Sequence, residues 1–272
     1  MSLEDLFAKL SLNNKNKNVG ELDEIKVIAK LFRMSKSDKP KKKLKLIELF
    51  GQNARDGIIV LDPTTLKEII DINSIKKSSR FYKCDCAIKF ISTQEILKIS
   101  IKSFNGKNPA IINHTPRSAN VFQSGVLQQD IPYLDQFISI INNKRINKES
   151  KQDIFLRDIT INDKIKESIN NTLKYFIFKG SGSRISKLES NCILYVNTFR
   201  IRKWTFYNCI EEKDKDKYVS SIYDKCIVSM RSKGMPNNKD KLTLSKPWIY
   251  KDTQKGKILL KGSFHVRVNL NL

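Results

Sequence analysis

The spacing of apolar residues predicts two helices near the start of the chain. Apolar side chains recur every three or four positions over 22–32, and again over 44–50 after Pro40. This spacing places them on one face of a helix. Proline suits the first turn of a helix because the N–H group that it lacks has no intrahelical partner there.

Strand-like segments replace this pattern between about 81 and 103. A short helical pattern that begins at Pro63 and runs to Ile70 comes first. The segments at about 81–91 and 95–103 are rich in β-branched and aromatic residues, which predicts two strands. A turn near 92–94 separates them, so we expect an antiparallel hairpin.

The rest of the chain mixes helices and strands. Helical spacing returns at 131–141 and 165–176, and the second stretch ends at Gly and Ser residues 180–183, which predict a flexible loop. The remaining predicted elements are strands at 191–197, 199–207, 226–231, 257–261 and 263–269 and a charged helix at 211–225. We therefore expect an α/β fold of the mixed α+β type, with helices flanking a central mixed β-sheet and additional C-terminal strands.

The charge of the chain indicates a polyanionic partner. Its 51 Lys and Arg residues outnumber 28 Asp and Glu residues, giving a formal net charge of +23. An excess of this size favours nucleic acid. The chain contains no apolar run of 18 or more residues, and its first twenty residues lack the order of a secretory signal, so we expect no membrane partner and an intracellular location. The five cysteines form no CxxC pair and are expected to be reduced thiols.

The predicted hairpin carries the chemistry. Asp85 belongs to its first strand, where an unpaired carboxylate among large residues is costly unless a cation compensates it. Antiparallel pairing brings residues 100–102 opposite Asp85, with Ser100 and Lys102 on a shared face. Lys98 has the same parity, but Lys102 fits the register better. An acid and a lysine on neighbouring strands can hold a divalent cation and a water beside a phosphate, or can form a structural ion pair.

Polar and basic segments farther along the chain suit contacts with a nucleic acid. Residues 113–118 are rich in hydrogen-bond donors, although they also fit a capped helix start at Thr115. Cations alternate with aromatics over 199–208, and residues 231–241 form a basic loop marked by Gly and Pro. Arg and Asn side chains can bind base edges with two hydrogen bonds. The predicted contacts are Asn113, His114, Arg117, Arg200, Arg202, Arg231, Lys233, Asn237 and Asn238.

The strand aspartate, the turn, the Ser100-Ile101-Lys102 strand and the following PAIINHTPRSANVF at 109–122 together resemble type II restriction endonucleases of the PD-(D/E)xK superfamily. The resemblance covers roughly residues 80–125. It implies a PD-(D/E)xK endonuclease-like core, a Mg²⁺ cofactor, and a motif of aspartate, then an acid two places before a lysine. The motif carries over onto Asp85, position 100 and Lys102 as catalytic residues, with Asp85 also a metal ligand. Ser100 departs from this motif, because its hydroxyl supplies no negative charge where the motif has an acid.

A carboxylate from elsewhere must then complete the metal shell. The resemblance implies one on the preceding helix, and Glu48 in KLIELFGQ is the candidate metal ligand, although it also fits an ordinary solvent-side residue. Glu68 and Glu95 are alternatives.

These features lead to one principal hypothesis. The resemblance implies a single endonuclease domain over 1–272, with a catalytic core at about 40–130 and DNA-recognition elements at about 184–272. It implies Mg²⁺-dependent hydrolysis of double-stranded DNA at a short specific site, by a homodimer or by a monomer that nicks sequentially. The alternatives are a non-catalytic basic protein that binds DNA or RNA, and an assembly protein that packages nucleic acid.

Overall fold

The computed structural model of the protein describes residues 19–78, 81–104, 106–113, 125–147, 153–181, 184–197, 203–229, 247–254 and 257–269. The helices are α1 (Val19–Ser35), α2 (Pro40–Phe50), α3 (Ile131–Ile146), α4 (Asp163–Lys174) and α5 (Glu212–Tyr223). The strands are β1 (Ile58–Leu61), β2 (Cys86–Phe90), β3 (Ile96–Phe104), β4 (Ala110–Asn113), β5 (Ile154–Phe155), β6 (Gly180–Ser181), β7 (Arg184–Ile185), β8 (Cys192–Asn197), β9 (Trp204–Asn208), β10 (Cys226–Ser229), β11 (Ile249–Gln254), β12 (Lys257–Gly262) and β13 (His265–Val268).

The chain divides into two compact units, and each is assembled from two segments. The first unit comprises Met1–Gly106 and Lys187–Ile210, and the second comprises Lys107–Ser186 and Glu211–Leu272. The single endonuclease domain predicted from the sequence, with a core at 40–130, stays a prediction.

The first unit is built on a five-stranded mixed sheet. Its strand order is β1-β2-β3-β8-β9. Only the β3–β8 pair is parallel, whereas the other neighbours run antiparallel. Parallel neighbours need a long crossover, and here the chain passes through the first segment of the second unit between β3 and β8. The mixed α+β architecture with a central mixed sheet is therefore confirmed.

Helices cover one face of this sheet. Successive side chains of a strand point to opposite faces, so Leu97, Ile99 and Ile101 of β3 face the helices and join the core. α1 contributes a buried apolar stripe to this core, and α2 contributes Leu46 and Phe50. Residues 100 and 102 point to the other face of β3. The alternation therefore places the apolar side chains of β3 in the core and the side chains of Ser100 and Lys102 on the opposite face of the sheet.

The described part of the second unit contains a four-stranded antiparallel sheet, three α-helices and two hairpins. The sheet has the order β4-β13-β10-β5. The three helices are α3, α4 and α5, and a π-helical turn at Tyr175–Lys179 follows α4. The hairpins pair β11 with β12 and β6 with β7.

Most of the predicted elements agree with the structure, with three differences. The strand predicted over 81–91 forms only as β2 from Cys86, so Asp85 directly precedes it. The helical pattern from Pro63 to Ile70 forms turns, with Leu66 at a φ of 56° and a single bridge between Leu61 and Glu68. Three apolar positions fit a helix there, yet the chain reverses instead to bring Glu68 beside β1. The predicted loop at 180–183 begins with β6, which pairs with β7.

Two further sequence-level expectations concern the cysteines and the membrane. All five cysteines are buried, and none forms a disulfide. Within the described residues, no helix is both long enough and apolar enough to cross a membrane.

Candidate active site

The register of the β2–β3 hairpin brings Asp85 to the position predicted from the sequence. Cys86 pairs with Ile99, and the Asp85 N–H donates to the Ile99 carbonyl at 2.9 Å. The next pair beyond Cys86 and Ile99 joins Asp85 with Ser100, so both side chains lie on the same face of the sheet. The sequence spacing predicted that residues 100–102 lie opposite Asp85.

Ser100 links Asp85 to Lys102. The Ser100 hydroxyl donates to Asp85 Oδ2 at 3.2 Å and accepts from Lys102 Nζ at 3.0 Å. Asp85 Oδ2 also accepts from the Ile101 N–H at 2.8 Å. Among the described contacts no direct ion pair joins Asp85 and Lys102, so the two charges meet through a fully buried hydroxyl.

The structure also distinguishes the two lysines that share a parity on β3. Lys98 pairs with Ala87, and its N–H donates to Asn191 Oδ1 at 2.7 Å. Lys102 is instead the lysine that shares a hydrogen-bond partner with Asp85.

Glu24 supplies a second carboxylate that the sequence analysis missed. It lies in α1, which packs against β1 and β3. Burial raises the pKa of Glu24 to about 8, the Asp85 charge raises it further, and the Lys102 charge opposes both. Glu24 therefore belongs to the electrostatic environment of Asp85 and Lys102. No local signal distinguished it, since Glu24 lies beside the apolar stripe of α1 just as the exposed Glu48 lies beside that of α2.

The carboxylates considered from sequence occupy other places. Glu48 is exposed on α2, and it is not among the charged groups that act on Glu24. Glu68 forms an ion pair with Lys36 at 2.8 Å. Glu95 lies at the turn before β3, and its carbonyl accepts from the Phe90 N–H.

Two more lysines complete the electrostatics of the site. Burial lowers the pKa of Lys83 to about 7, and repulsion from Lys102 lowers it too, whereas Asp85 and Glu24 oppose the change. Lys77 forms an ion pair with Glu21, one helical turn from Glu24. Charges of both signs therefore act on Glu24 and on Lys83.

Some of the residues of this site carry oxygen atoms of the kind that bind a hard divalent cation. In the described part of the chain, no group of three His, Cys, Asp or Glu residues is close enough to hold a metal. Asp85 and Glu24 are carboxylates, and repulsion from Asp85 adds to the effect of burial in raising the pKa of Glu24. A cation bound between them would relieve that repulsion, and carboxylate and hydroxyl oxygens are the ligands that Mg²⁺ prefers.

The residues predicted to contact DNA are mostly beyond what the structure describes. Asn113 ends β4, is exposed, and pairs across the sheet with His265. Trp204 and Phe206, two aromatics of the 199–208 segment, pack against the core of the first unit. The predicted contacts that lie outside the described residues are His114, Arg117, Arg200, Arg202, Arg231, Lys233, Asn237 and Asn238.

Comparison with known proteins adds no relative. No protein-family model matches the chain, and no curated protein matches it significantly.

Proposed function

We propose that the protein is a Mg²⁺-dependent endonuclease that hydrolyses phosphodiester bonds of double-stranded DNA at a short specific site. In this proposal it acts as the type II restriction endonucleases of the PD-(D/E)xK superfamily do. The observation that carries the proposal is the hydrogen-bonded chain Asp85–Ser100–Lys102 on β2–β3, whose two charged members also act on the helix carboxylate Glu24.

Each residue has a role that follows from its contacts. Asp85 and Glu24 would hold Mg²⁺, which when bound activates a water and offsets charge on the phosphate. The Ser100 hydroxyl links the Lys102 ammonium to Asp85 by hydrogen bonds. This ammonium is suited to stabilise negative charge that develops on the phosphate. Ser100 accepts from Lys102 and donates to Asp85, so it orients both while carrying no charge.

The proposed substrate and assembly follow from charge and symmetry. A net charge of +23 attracts the phosphate backbone of a duplex. One active site per chain cuts both strands of a palindromic site when two copies are related by two-fold symmetry, so we propose a homodimer.

A specific observation favours a second candidate, a non-catalytic protein that binds DNA or RNA. The fully buried Ser100 hydroxyl uses both its donor and an acceptor position between the two charged groups. Such a bridge also suits a purely structural role, in which the hydroxyl stabilises the pairing of two neighbouring strands.

Cleavage of a long duplex of mixed sequence distinguishes the two candidates. The protein is incubated with the DNA in Mg²⁺ and in EDTA, alongside Asp85→Ala, Lys102→Ala and Glu24→Gln variants, with Glu48→Gln as the matched control. We expect discrete fragments that disappear in EDTA and in the first three variants but persist with Glu48→Gln. Intact DNA despite tight, salt-sensitive binding would favour the second candidate. Loss of cleavage in Glu48→Gln with retention in Glu24→Gln would reassign the helix carboxylate.

A further inference from the structure

Arg145 is a buried cation in the second unit. It lies near the end of α3, and only 4% of its surface is exposed. Asn142, three residues earlier and therefore on the same helix face, is also buried. Buried charged side chains are normally paired, so the surroundings of Arg145 indicate what it can bind.

One edge of the Arg145 guanidinium has no hydrogen-bond partner among the described residues. Nη1 donates to the Ser263 carbonyl over a long 3.4 Å, whereas Nε and Nη2 are buried without any hydrogen bond. These two nitrogens form the edge of the guanidinium that can grip an oxyanion with two parallel bonds. The Ser263 hydroxyl is buried and also lacks a partner. Three donors are therefore unused on two residues that contact each other.

No acid among the described residues pairs with this guanidinium. The carboxylate of Asp135, on the same helix, accepts from the Trp248 indole N–H. The Asp153 charge favours the charged form of Arg145, but Asp153 is exposed. Burial lowers the pKa of Arg145 to about 10, so the side chain keeps its charge near neutral pH. An apolar side chain of similar volume at this position would cost less free energy to bury than the unpaired charge of Arg145 does.

The β11–β12 hairpin and the residues next to it cover the Arg145 guanidinium. The Tyr250 ring centroid lies 5.8 Å from the central guanidinium carbon. Lys261, which is 2% exposed, pairs with Tyr250 across the hairpin, so its side chain starts from the same face. Near the start of the hairpin, the Asn142 amide donates to the Pro247 carbonyl at 2.6 Å. The hairpin and the residues that flank it therefore contact α3 at Tyr250 and Pro247.

We propose that Arg145 and the Ser263 hydroxyl bind one phosphate group, which enters when the β11–β12 hairpin lifts away from α3. A phosphate group fits better than a carboxylate, because a third oxygen remains for the hydroxyl after two oxygens bind the guanidinium edge. Free inorganic phosphate and a phosphate of the nucleic-acid backbone share this chemistry. This site does not depend on the proposed nuclease activity.

Thermal unfolding and hydrogen exchange test this site. The full-length protein is titrated with inorganic phosphate in EDTA at constant ionic strength, alongside Arg145→Met and Arg145→Lys. Arg157→Met, which replaces an exposed arginine of the same unit, is the matched control. We expect phosphate to raise the Tm of the wild-type protein and of Arg157→Met, and to change amide exchange in 247–263. Arg145→Met should lower the affinity at least tenfold, and Arg145→Lys should fall between, because lysine keeps the charge but not the paired donors.

The stability of Arg145→Met gives an independent readout. If the phosphate-free site holds an unsatisfied cation, Arg145→Met should have a Tm equal to or above that of the wild-type protein without phosphate. Equal phosphate stabilisation of the wild-type protein and Arg145→Met, or none in either, overturns the proposal. If Arg145→Met does not fold, the exchange data decide. The proposal then stands only if phosphate changes wild-type exchange in 247–263 and Arg145→Lys weakens that change; any other result overturns it.

A second titration separates the two sources of phosphate. A short DNA duplex replaces inorganic phosphate in the same EDTA buffer. Protection of 247–263 by the duplex, lost in Arg145→Lys, assigns the site to the nucleic-acid backbone. Protection by inorganic phosphate alone assigns it to a free phosphate ligand.

Discussion

At Glu24, folding brings a carboxylate from α1 into a site whose other members come from one hairpin. The pKa of Glu24 is about 8 in the folded protein, against 4.5 for the free side chain. Between these values the folded state binds more protons than the unfolded state, so the free energy of unfolding falls as pH rises. Above pH 7 the lowered pKa of Lys83 acts in the opposite direction, because there the unfolded state holds more protons.

The effect of Glu24→Gln on stability should therefore depend on pH. Between pH 5 and 7, we expect the free energy of unfolding of this variant to fall less steeply than that of the wild-type protein. The steepest contribution of a single proton is about 1.4 kcal/mol per pH unit. Denaturant titrations in EDTA at several pH values measure the slope. Glu48→Gln should keep the wild-type slope, and a wild-type slope in Glu24→Gln would contradict the expected burial of its carboxyl group.

The sequence predicted one half of this site and missed the other for a physical reason. Asp85, Ser100 and Lys102 come from adjacent antiparallel strands, so alternation and a short turn are enough to bring them together. Glu24 reaches them only because α1 packs against β1 and β3. Nothing in the local pattern of α1 encodes which residue of the helix lies over which end of a strand.

At the scale of elements, α2 offers a direct comparison between its two faces. Leu46 is 2% exposed in the core of the first unit, whereas Leu44 on the same helix is 56% exposed. We expect Leu46→Ala to lower the free energy of unfolding by about 2–5 kcal/mol, because it leaves a cavity. Leu44→Ala should change it by less than about 0.5 kcal/mol. Urea denaturation measures both, and equal effects would mean that α2 does not pack through the Leu46 face.

Long periodic elements were predictable, and short ones were not. The apolar stripes of α1 and α3 extend over several turns, so their spacing is distinctive. β1 has only four residues, all apolar, which fit a buried strand or part of a helix equally well. β1 was therefore not predicted, and the apolar residues after Pro63 were assigned to a helix that does not form. The strands β4, β5, β6, β7 and β11 were not predicted either.

At the scale of the whole molecule, the charge makes a prediction about salt. With a net charge of +23, binding to duplex DNA should depend steeply on ionic strength. For about 6–10 phosphate contacts, we expect the association constant to fall roughly 10³–10⁵-fold between 50 and 200 mM salt. Fluorescence anisotropy of a labelled duplex in EDTA, which prevents metal-dependent cleavage, measures this slope. A flat dependence would remove nucleic acid as the partner indicated by the charge.

The division of the first unit into two segments has a consequence for synthesis on the ribosome. β3 carries Ser100 and Lys102, yet its parallel neighbour β8 belongs to the segment that begins at Lys187. Residues 105–191 must be translated before β8 can pair, which takes roughly 4–17 s at about 5–20 residues per second. During that interval the nascent chain has made Glu24, Asp85 and Lys102, but one edge of β3 is unpaired. Emergence of β8 from the ribosome, rather than translation of these three residues, therefore sets when their site can be completed.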